Sequence, residues 1–483
     1  MLNKIRSIYI INEIFKNMRN KRKLNIIKYN KGIMNRLNIT KENFKIYKTL
    51  AQFNKKYDAD IEDIDIEELT LSEINLGNEG LKFLGEIKFK ELNSLTLMDN
   101  NISDISILSK LNLQDLKELD LEDNKISDIN ILSKAKFNNL EVLYLNDNLI
   151  SDINVLSKVN FPKLKELDLR HNKISDITIL EKVNFKELEE LDLCDNRITN
   201  INILEKVDFI ELKELILSGN GLSDIDVLEK VNFKKLNTLS LSRNPLKNID
   251  ILTKVNFQEL EELYLSTTCI SNINVLAKVN FKKLKELYLS LNQIKDINVL
   301  EKVNFKELEI LYLSNNQITD IEILAKVNFQ NLVELSLNGN KISNINILEK
   351  VKFSKLNILN LSNNEIRNFK VLTKVNFKEL KELNLSLNFI NDIKILSELN
   401  FEKLNLLDLS GNQITNINIF SKFKFNKLDT LLLNDNQIKD IRVLNKIKHF
   451  ELEKLDLSGN KIDKEKNASV INNLKLKIKE LIE

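Results

Sequence analysis

The sequence contains few of the residues that build varied loops, disulfide frameworks and metal sites. Its 483 residues include no Trp, two Pro, nine Gly, two Cys and two His. So few Cys and His residues leave little for a disulfide framework or a metal site, and we expect no metal and no other cofactor. No apolar run approaches the ~18 residues that a membrane-spanning helix needs, so we expect no membrane span.

The chain is too long for a single compact core, since such cores stop growing at about 250–300 residues. Hydrophobic residues make up 43% of the sequence and charged residues 29%, which is typical of a folded, soluble protein rather than a disordered one. We therefore expect either several domains or an elongated repeat.

Charge is unevenly distributed along the chain, although the net charge is only +2. Residues 1–57 contain fifteen Lys or Arg and two Glu, whereas residues 58–68 contain seven acidic residues and no basic one. The first apolar run, residues 8–11, is too short for the core of a signal peptide. We therefore expect the protein to reside in the cytoplasm, with the nucleus left open.

One residue recurs through most of the chain with a fixed period. Asparagine occurs every 24 residues from Asn100 to Asn460, and in these sixteen units only Thr268 departs from the rule. The pattern around each Asn is L-x-x-L-x-L-x-x-N-x-I, as in residues 164–174. This pattern resembles the leucine-rich repeat family. The Ile-Ser-Asp-Ile segment at residues 174–177 is similar to the internalin-like class, although the unit is two residues longer than is usual there.

The resemblance implies an α/β leucine-rich-repeat solenoid. Its curved parallel sheet would lie on the inner, concave face and its short helices on the outer face, and the concave face would bind other proteins. We assign residues 1–57 to a basic helical N-terminal segment and residues 58–68 to an acidic linker. The solenoid, with an atypical first coil, covers residues 66–462, and a capping helix covers residues 463–483.

Elementary physical chemistry predicts the same architecture. In each Leu-x-Leu segment the two leucines point to one side of a short strand. The Asn amide can satisfy backbone groups of adjacent coils, and an Asp or Asn four residues later can cap a short helix. No unit can bury its own apolar face, so stability comes from stacking. A column of thirteen phenylalanines, from Phe137 to Phe425, is expected in the core.

The residues beside the buried leucines on each strand are expected to face solvent. In the second to fifth units this face is acidic, and Asp120, Asp168 and Asp192 occupy its middle column. Such a field attracts a basic partner and repels nucleic acid, so no nucleic acid partner is expected. Two interpretations stay open, namely a docking surface for a basic protein and a polar face that is acidic without a partner.

In the eighth to tenth units the middle column is aromatic and contains Tyr264, Tyr288 and Tyr312. Tyrosine offers a large contact area with a polar tip, and it is enriched at binding hot spots. A cross-strand ladder that only stabilises the sheet is the other interpretation. The neighbouring candidates for contacts with a partner are Glu262, Glu286, Ser266, Ser290 and Ser314.

The N-terminal segment does not follow the repeat. Four of its apolar residues have a spacing that resembles the F-box, namely Ile14, Phe15, Met18 and Leu24. The Leu-Pro start and the later Cys and Trp of that pattern are missing. The resemblance implies docking to the adaptor of a ubiquitin ligase, with the solenoid recruiting the substrate. A helical cap with a basic surface is the alternative.

The sequence contains no Gly-rich phosphate loop, no nucleophile elbow and no metal-ligand spacing. We therefore expect a protein that is not an enzyme. The sequence predicts a scaffold that binds one or more proteins through the concave face of the solenoid. The alternative is an F-box-like substrate adaptor of a ubiquitin ligase.

Overall fold

The computed structural model describes residues 41–61, 64–87, 89–111, 113–422, 425–446 and 452–483, together with residues 32 and 35. The chain divides into two compact units. The first consists of Met1–Gly221 and Lys230–Phe233, and the second of Leu222–Glu229 and Lys234–Glu483. Both units are built from coils that contain one short strand and one helical turn.

The described part of the first unit contains seven parallel strands that pair in sequence order. Equivalent repeat positions lie opposite one another, as Leu119 lies opposite Leu143. The strands are β1 Glu68–Thr70, β2 Ser94–Thr96, β3 Glu118–Asp120, β4 Val142–Tyr144, β5 Glu166–Asp168, β6 Glu190–Asp192 and β7 Glu214–Ile216. Two α-helices flank β1 in the chain, and they are α1 Lys41–Tyr57 and α2 Gly77–Leu84.

After each regular strand the chain returns through a short 3-10 helix. Its first N–H is satisfied by the Asp or Asn two residues earlier, as Asn130 donates to Oδ1 of Asp128 at 2.8 Å. The predicted short helices are confirmed, and they are of the tight 3-10 type that suits a single turn. Those of the first unit are Ser106–Lys110, Asn130–Lys134, Asn154–Lys158, Thr178–Lys182 and Asn202–Lys206.

The described part of the second unit contains eleven strands, which pair in the same way. They are β8 Thr238–Ser240, β9 Glu262–Tyr264, β10 Glu286–Tyr288, β11 Ile310–Tyr312, β12 Glu334–Ser336, β13 Ile358–Asn360, β14 Glu382–Asn384, β15 Leu406–Asp408, β16 Thr430–Leu432, β17 Lys454–Asp456 and β18 Glu480–Ile482. The helix α3 is Lys464–Lys475. The 3-10 helices are Asp226–Glu229, Asp250–Thr253, Asn274–Ala277, Asn298–Glu301, Glu322–Ala325, Asn346–Lys350, Lys370–Thr373, Lys394–Ser397, Asn418–Lys422 and Arg442–Lys446.

Within each unit, the Asn residues of the column join one coil to the coil before it. The amide of Asn148 donates to the carbonyl oxygen of Leu121 in the preceding coil at 2.9 Å, and to that of Leu145 in its own coil at 3.2 Å. Its Oδ1 atom accepts the N–H of Ile126, again from the preceding coil, at 2.9 Å. The predicted role of Asn is confirmed, because these bonds satisfy both the buried amide and the backbone at the turn.

The repeated pattern of hydrogen bonds from the Asn column is altered at Thr268. The Thr268 hydroxyl lies 2.8 Å from the carbonyl oxygen of Leu265 in its own coil. Threonine has only one donor hydrogen, so it cannot also donate to Leu241 in the preceding coil as an Asn would. A second bond is also lost, because the N–H of Leu246, which Oδ1 of an Asn would accept, bonds instead to the carbonyl oxygen of Asn244 at 2.9 Å.

The core consists of Leu, Ile, Val and Phe side chains. All thirteen residues of the Phe column, from Phe137 to Phe425, are buried. Successive rings contact one another in places, as Phe161 and Phe185 stack with their centroids 6.3 Å apart. The prediction that this column packs in the core is confirmed.

Helix α1 covers the first coil of the first unit. Leu50 and Phe53 are fully buried, and the ring of Phe53 lies 5.6 Å from that of Phe83 in α2. The ring of Tyr57 also meets the edge of Phe83 at 6.4 Å. Residues 41–57 thus seal the apolar end of the first coil, which is the function of a cap.

Two predicted N-terminal segments have different outcomes. The F-box-like stretch, residues 14–24, lies outside the described residues, and its resemblance stays a prediction. The described residues of the acidic stretch 58–68 are packed on the first coil rather than extended as a linker. Ile61 and Ile64 are buried, and Asp65 forms an ion pair with Lys90 at 2.7 Å.

The C-terminal cap differs from the predicted single helix over residues 463–483. Only its first part is helical, and β18 then pairs with β17 in parallel. The predicted extent is wrong because the chain after α3 is extended at Glu480–Ile482, where its backbone bonds to the open edge of β17. For example, Leu457 donates its N–H to the carbonyl oxygen of Ile482 at 2.8 Å.

Candidate functional site

Each strand presents three columns of side chains beside its buried leucines, and we call this side of the sheet the strand face. In β10 and the residues after it, the first column contains Glu286, the middle column Tyr288 and the third Ser290. The next residue, Leu291, directly precedes the Asn column. At that position all sixteen units have a positive φ, between 48° and 67°. The repeat thus requires a left-handed residue at every turn.

The three predicted tyrosines lie side by side on the strand face of the second unit, and we call them the tyrosine ladder. Tyr264 and Tyr288 stack with their centroids 4.5 Å apart and their planes at 9°. Tyr312 meets Tyr288 edge to face, with centroids 5.0 Å apart and an interplanar angle of 80°. The strand register places them directly opposite one another, so their packing stabilises the sheet.

The hydroxyl of each tyrosine in the ladder donates to a glutamate of the first column. The distances are 2.9 Å from Tyr264 to Glu262, 2.7 Å from Tyr288 to Glu286 and 2.5 Å from Tyr312 to Glu334. Burial, and then the bonded carboxylate, raise the pKa of all three phenols well above their usual range. The hydroxyls therefore remain protonated donors, and the rings are held in fixed positions.

The predicted serine contacts are used largely within the protein. Ser266 Oγ accepts the N–H of Ser290 at 3.2 Å, and Ser314 Oγ donates to Ser336 Oγ at 2.9 Å. The hydroxyl oxygen of Ser290 is itself buried. The expectation that this column faces solvent is wrong for Ser314, because a short side chain is covered by its neighbours on adjacent strands.

Leu291 adds an apolar side chain beside the ladder. It follows Tyr288 by three residues, its side chain is 57% exposed, and its φ is +57°. A left-handed conformation costs a residue with a Cβ about 1–2 kcal/mol. Leu291 therefore combines backbone strain with the exposure of a large apolar group.

The predicted acidic residues lie together in the first unit but are less accessible than expected. Asp120 and Asp168 are only 9% exposed, and Asp192 is half-buried. Each carboxylate accepts the backbone N–H two residues later, as Asp168 does from Arg170 at 2.9 Å. Burial raises the pKa of Asp168 to about 6. The expected exposure is wrong for Asp120 and Asp168, because their carboxylates fold back onto their own turns.

Two basic residues cross the acidic part of the strand face. The guanidinium of Arg170 lies 3.5 Å from Asp168 and 3.6 Å from Glu122, two coils earlier. His171 lies between Asp147 and Asp195, with one ring nitrogen 2.7 Å from each. Arg170 and His171 therefore neutralise much of the negative charge on this part of the strand face.

Three glutamates of the first column lie side by side on adjacent strands. Glu166, Glu190 and Glu214 lie opposite one another on β5, β6 and β7. Burial, with the nearby charges of Glu214 and Glu166, raises the pKa of Glu190 to about 7. The row beside it alternates in sign, as Lys165 pairs with Glu141 at 2.7 Å.

Sequence reasoning missed three residues that share these surfaces. Tyr144 occupies the middle column between Asp120 and Asp168, and Glu334 completes the bonds of the tyrosine ladder. His171 bridges the carboxylates of Asp147 and Asp195. The repeat position of Tyr144 equals that of Tyr264, so the period itself was the available signal.

The described residues give little support for a metal site, a disulfide or a membrane span. Among the described residues, no group of three or more His, Cys, Asp or Glu is arranged to hold a metal ion. Cys194 and Cys269 are not joined in a disulfide. None of the helices in the described ranges has the length and apolar content needed to cross a membrane.

Comparisons with known families agree with the repeated coil. The model described as Leucine Rich repeats (2 copies) matches residues 138–182, 162–206, 210–254 and 282–326. A second model, described as Leucine Rich repeat, matches residues 112–129 and 450–465. The chain is a leucine-rich repeat protein.

Solved leucine-rich repeat structures share this fold. The chain is similar to internalin InlF from Listeria monocytogenes, with 26% identity over 78% of this chain and 89% of that chain and a TM-score of 0.50. It is similar to a leucine-rich repeat protein of Leptospira interrogans, with 23% identity over 89% and 97% of the chains and a TM-score of 0.53.

A third similar structure is the ectodomain of the receptor kinase GASSHO1/SCHENGEN3 from Arabidopsis thaliana, in complex with CASPARIAN STRIP INTEGRITY FACTOR 2. Its identity is 22%, its TM-score is 0.56, and the match covers 81% of this chain and 49% of that chain. No curated protein matches the sequence.

Proposed function

We propose that this leucine-rich repeat protein is a non-enzymatic scaffold that binds another protein through the tyrosine ladder and Leu291. The observation that carries the proposal is the position of Leu291 directly beside the tyrosine ladder. Its turn requires a left-handed residue, and four of the sixteen units meet this requirement with Gly. Leu291 instead adds strain and leaves an apolar side chain in water, without filling any part of the core.

The ladder beside Leu291 supports the same function. Three tyrosines held by hydrogen bonds form a rigid surface with little side-chain freedom to lose on binding. Tyrosine is enriched among the central contacts of protein interfaces. The Arabidopsis ectodomain, which has the same fold, is in complex with another protein, and this use of the fold is consistent with the proposal.

The test is affinity capture by the full chain from an extract of its source cells, with bound proteins identified by mass spectrometry. The first variant is Leu291→Asn, since Asn tolerates the left-handed conformation. The second is the triple variant Tyr264→Ala, Tyr288→Ala, Tyr312→Ala. We expect each to reduce the yield of a specific partner about tenfold, the loss of a typical hot-spot contact.

Leu387→Asn is the matched control. Leu387 lies at the same repeat position four coils later, with a φ of +53° and 58% exposure, but asparagine and aspartate replace tyrosine around it. This variant should retain the partner. Thermal melts should show that Leu291→Asn is at least as stable as the wild type, which excludes unfolding as the cause. Equal capture by the wild type and both ladder variants would contradict the proposal.

A further inference from the structure

The glutamates beside the tyrosine ladder differ from the acidic residues next to them in the chain. We call Glu262, Glu286 and Glu334 the glutamate row. Glu261, one residue before the row, pairs with Lys285 of the next coil at 2.6 Å. Within the described residues, the glutamate row forms no ion pair with Lys, Arg or His, and its polar contacts are the hydroxyls of the ladder. The row therefore carries negative charge that no ion pair in this part of the protein neutralises.

The ring surfaces of the ladder also lack a cation. In the part of the chain that the structure describes, cation–π contacts involve Tyr57, Phe83 and Phe389, and none involves the ladder. Stacking covers the facing sides of Tyr264 and Tyr288, so the ladder offers a partner the ring surface that lies outside these contacts. The face of an aromatic ring carries partial negative charge and attracts cations.

The glutamate row and the ring surface of the tyrosine ladder favour the same class of ligand. An aromatic surface bordered by carboxylates suits a cation with an apolar stem, and a guanidinium suits it best. Arginine is planar, stacks on aromatic rings, is weakly hydrated and bonds carboxylates in pairs. The exposed side chain of Leu291 offers contact for an apolar neighbour of that arginine. Phosphate groups would be repelled by the glutamate row, which disfavours nucleic acid and anionic lipid.

We propose that the tyrosine ladder, the glutamate row and Leu291 bind an arginine-bearing segment of the partner protein. The arginine stacks on the ladder and forms hydrogen bonds with the glutamate row, and an apolar residue beside it contacts Leu291. This inference rests on the proposed function and names the chemistry of the partner.

The test uses the immobilised full chain and a phage-displayed library of random 12-residue peptides. We expect the selected peptides to share an arginine next to an apolar residue. In fluorescence anisotropy, such a peptide should lose about tenfold in affinity when its arginine is replaced by alanine, and less when it is replaced by lysine. Its affinity should also fall as salt is raised.

The matching protein variant is Glu262→Gln, Glu286→Gln, Glu334→Gln. Gln keeps an oxygen that accepts the tyrosine hydroxyl, so the ladder should stay in place while its charge is removed. We expect this variant to lose about tenfold in affinity for the arginine peptide. The control is Glu301→Gln, Glu349→Gln, Glu379→Gln, which removes the same total charge from residues paired with lysines away from the strand face. It should bind as the wild type does.

The outcomes separate the two proposals. Selected peptides that need the ladder but contain no arginine would overturn the arginine inference and leave the proposed function standing. Selected peptides that bind the tyrosine triple variant as well as the wild type would overturn both proposals. Equal binding of an arginine peptide to the glutamate variant and to its control would overturn the role of the glutamate row.

Discussion

Nδ1 of His171 lies 2.7 Å from Oδ1 of Asp147, the residue at the same repeat position one coil earlier. Nε2 lies 2.7 Å from Oδ2 of Asp195, one coil later. A neutral imidazole has only one N–H donor, yet both nitrogens face carboxylates, which only accept. The geometry therefore requires the imidazolium. The bond to Asp147, and then the bond to Asp195, raise the pKa of His171.

The charge of His171 can be measured directly by NMR. The sequence contains only two histidines, so replacing His449 by Asn assigns the remaining imidazole signal. We expect its titration midpoint to lie above the ordinary value of about 6.5. The double variant Asp147→Asn, Asp195→Asn should return it to that value. A midpoint at or below 6.5 in the intact protein would show that the bridge does not hold a proton.

The same bridge predicts a sign for its effect on stability. Because the folded pKa of His171 is raised, its contribution is fully present below the unfolded value of about 6.5 and is lost as pH rises through the folded pKa. His171→Asn should therefore lower the melting temperature more at pH 6 than at pH 9. Thermal melts at the two pH values check this, and an equal effect at both would contradict it.

Glu190 should destabilise the fold as pH rises. Its folded pKa of about 7 lies above the ordinary value of 4.5, so folding costs most above pH 7, where the carboxylate must be charged. We expect Glu190→Gln to raise the melting temperature at pH 8 and to have little effect at pH 4.5.

Glu141 lies in the adjacent row of alternating charges, and its effect on stability should depend on pH in the opposite sense. The bond to Lys165 lowers the pKa of Glu141, so its contribution is present above its unfolded pKa and is lost as pH falls. Glu141→Gln should therefore lower the melting temperature at pH 8. Thermal melts of Glu190→Gln and Glu141→Gln from pH 4 to pH 8.5 test both expectations. Shifts of the same sign at pH 8 would be inconsistent with this account.

Restoring the interrupted Asn ladder should stabilise the second unit. Thr268→Asn supplies the missing donor to Leu241, and a net hydrogen bond contributes about 1 kcal/mol. The converse variant, Asn316→Thr, removes the bond to the carbonyl oxygen of Leu289 and should cost about 1–3 kcal/mol. Denaturant unfolding followed by circular dichroism measures both. A lower unfolding midpoint for Thr268→Asn would mean that the site does not accept the larger side chain.

Replacing the left-handed leucines by glycine should also stabilise the protein. Leu291→Gly and Leu387→Gly each relieve a positive φ, which is worth about 1 kcal/mol. The reverse change, Gly339→Ala, should destabilise, since a Cβ there would lie 2.2 Å from Oδ1 of Asn315. Melting temperatures test all three. A melting temperature of Leu291→Gly below that of the wild type would show that the positive φ of Leu291 does not strain the fold.

The sequence predicted those features that depend on the repeat period. The Asn column and the Phe column recur every 24 residues, and their burial follows from stacking alone. The side chains of Asp168 and Ser314 were misjudged because their exposure depends on rotamers and on neighbours in adjacent coils. The strand β18 lies beyond the last regular unit, so no period could reveal that it completes the edge of the sheet.

The left-handed turn that recurs in every unit gives the protein an unusual property for experiment. At this one backbone conformation the chain places Asp, Asn, Gly, His, Arg, Thr and Leu in otherwise similar surroundings. Such a set is a host–guest series contained in a single molecule. Amide hydrogen exchange at the sixteen turns would rank these residue types by their tolerance of the conformation, without the need to make a substitution.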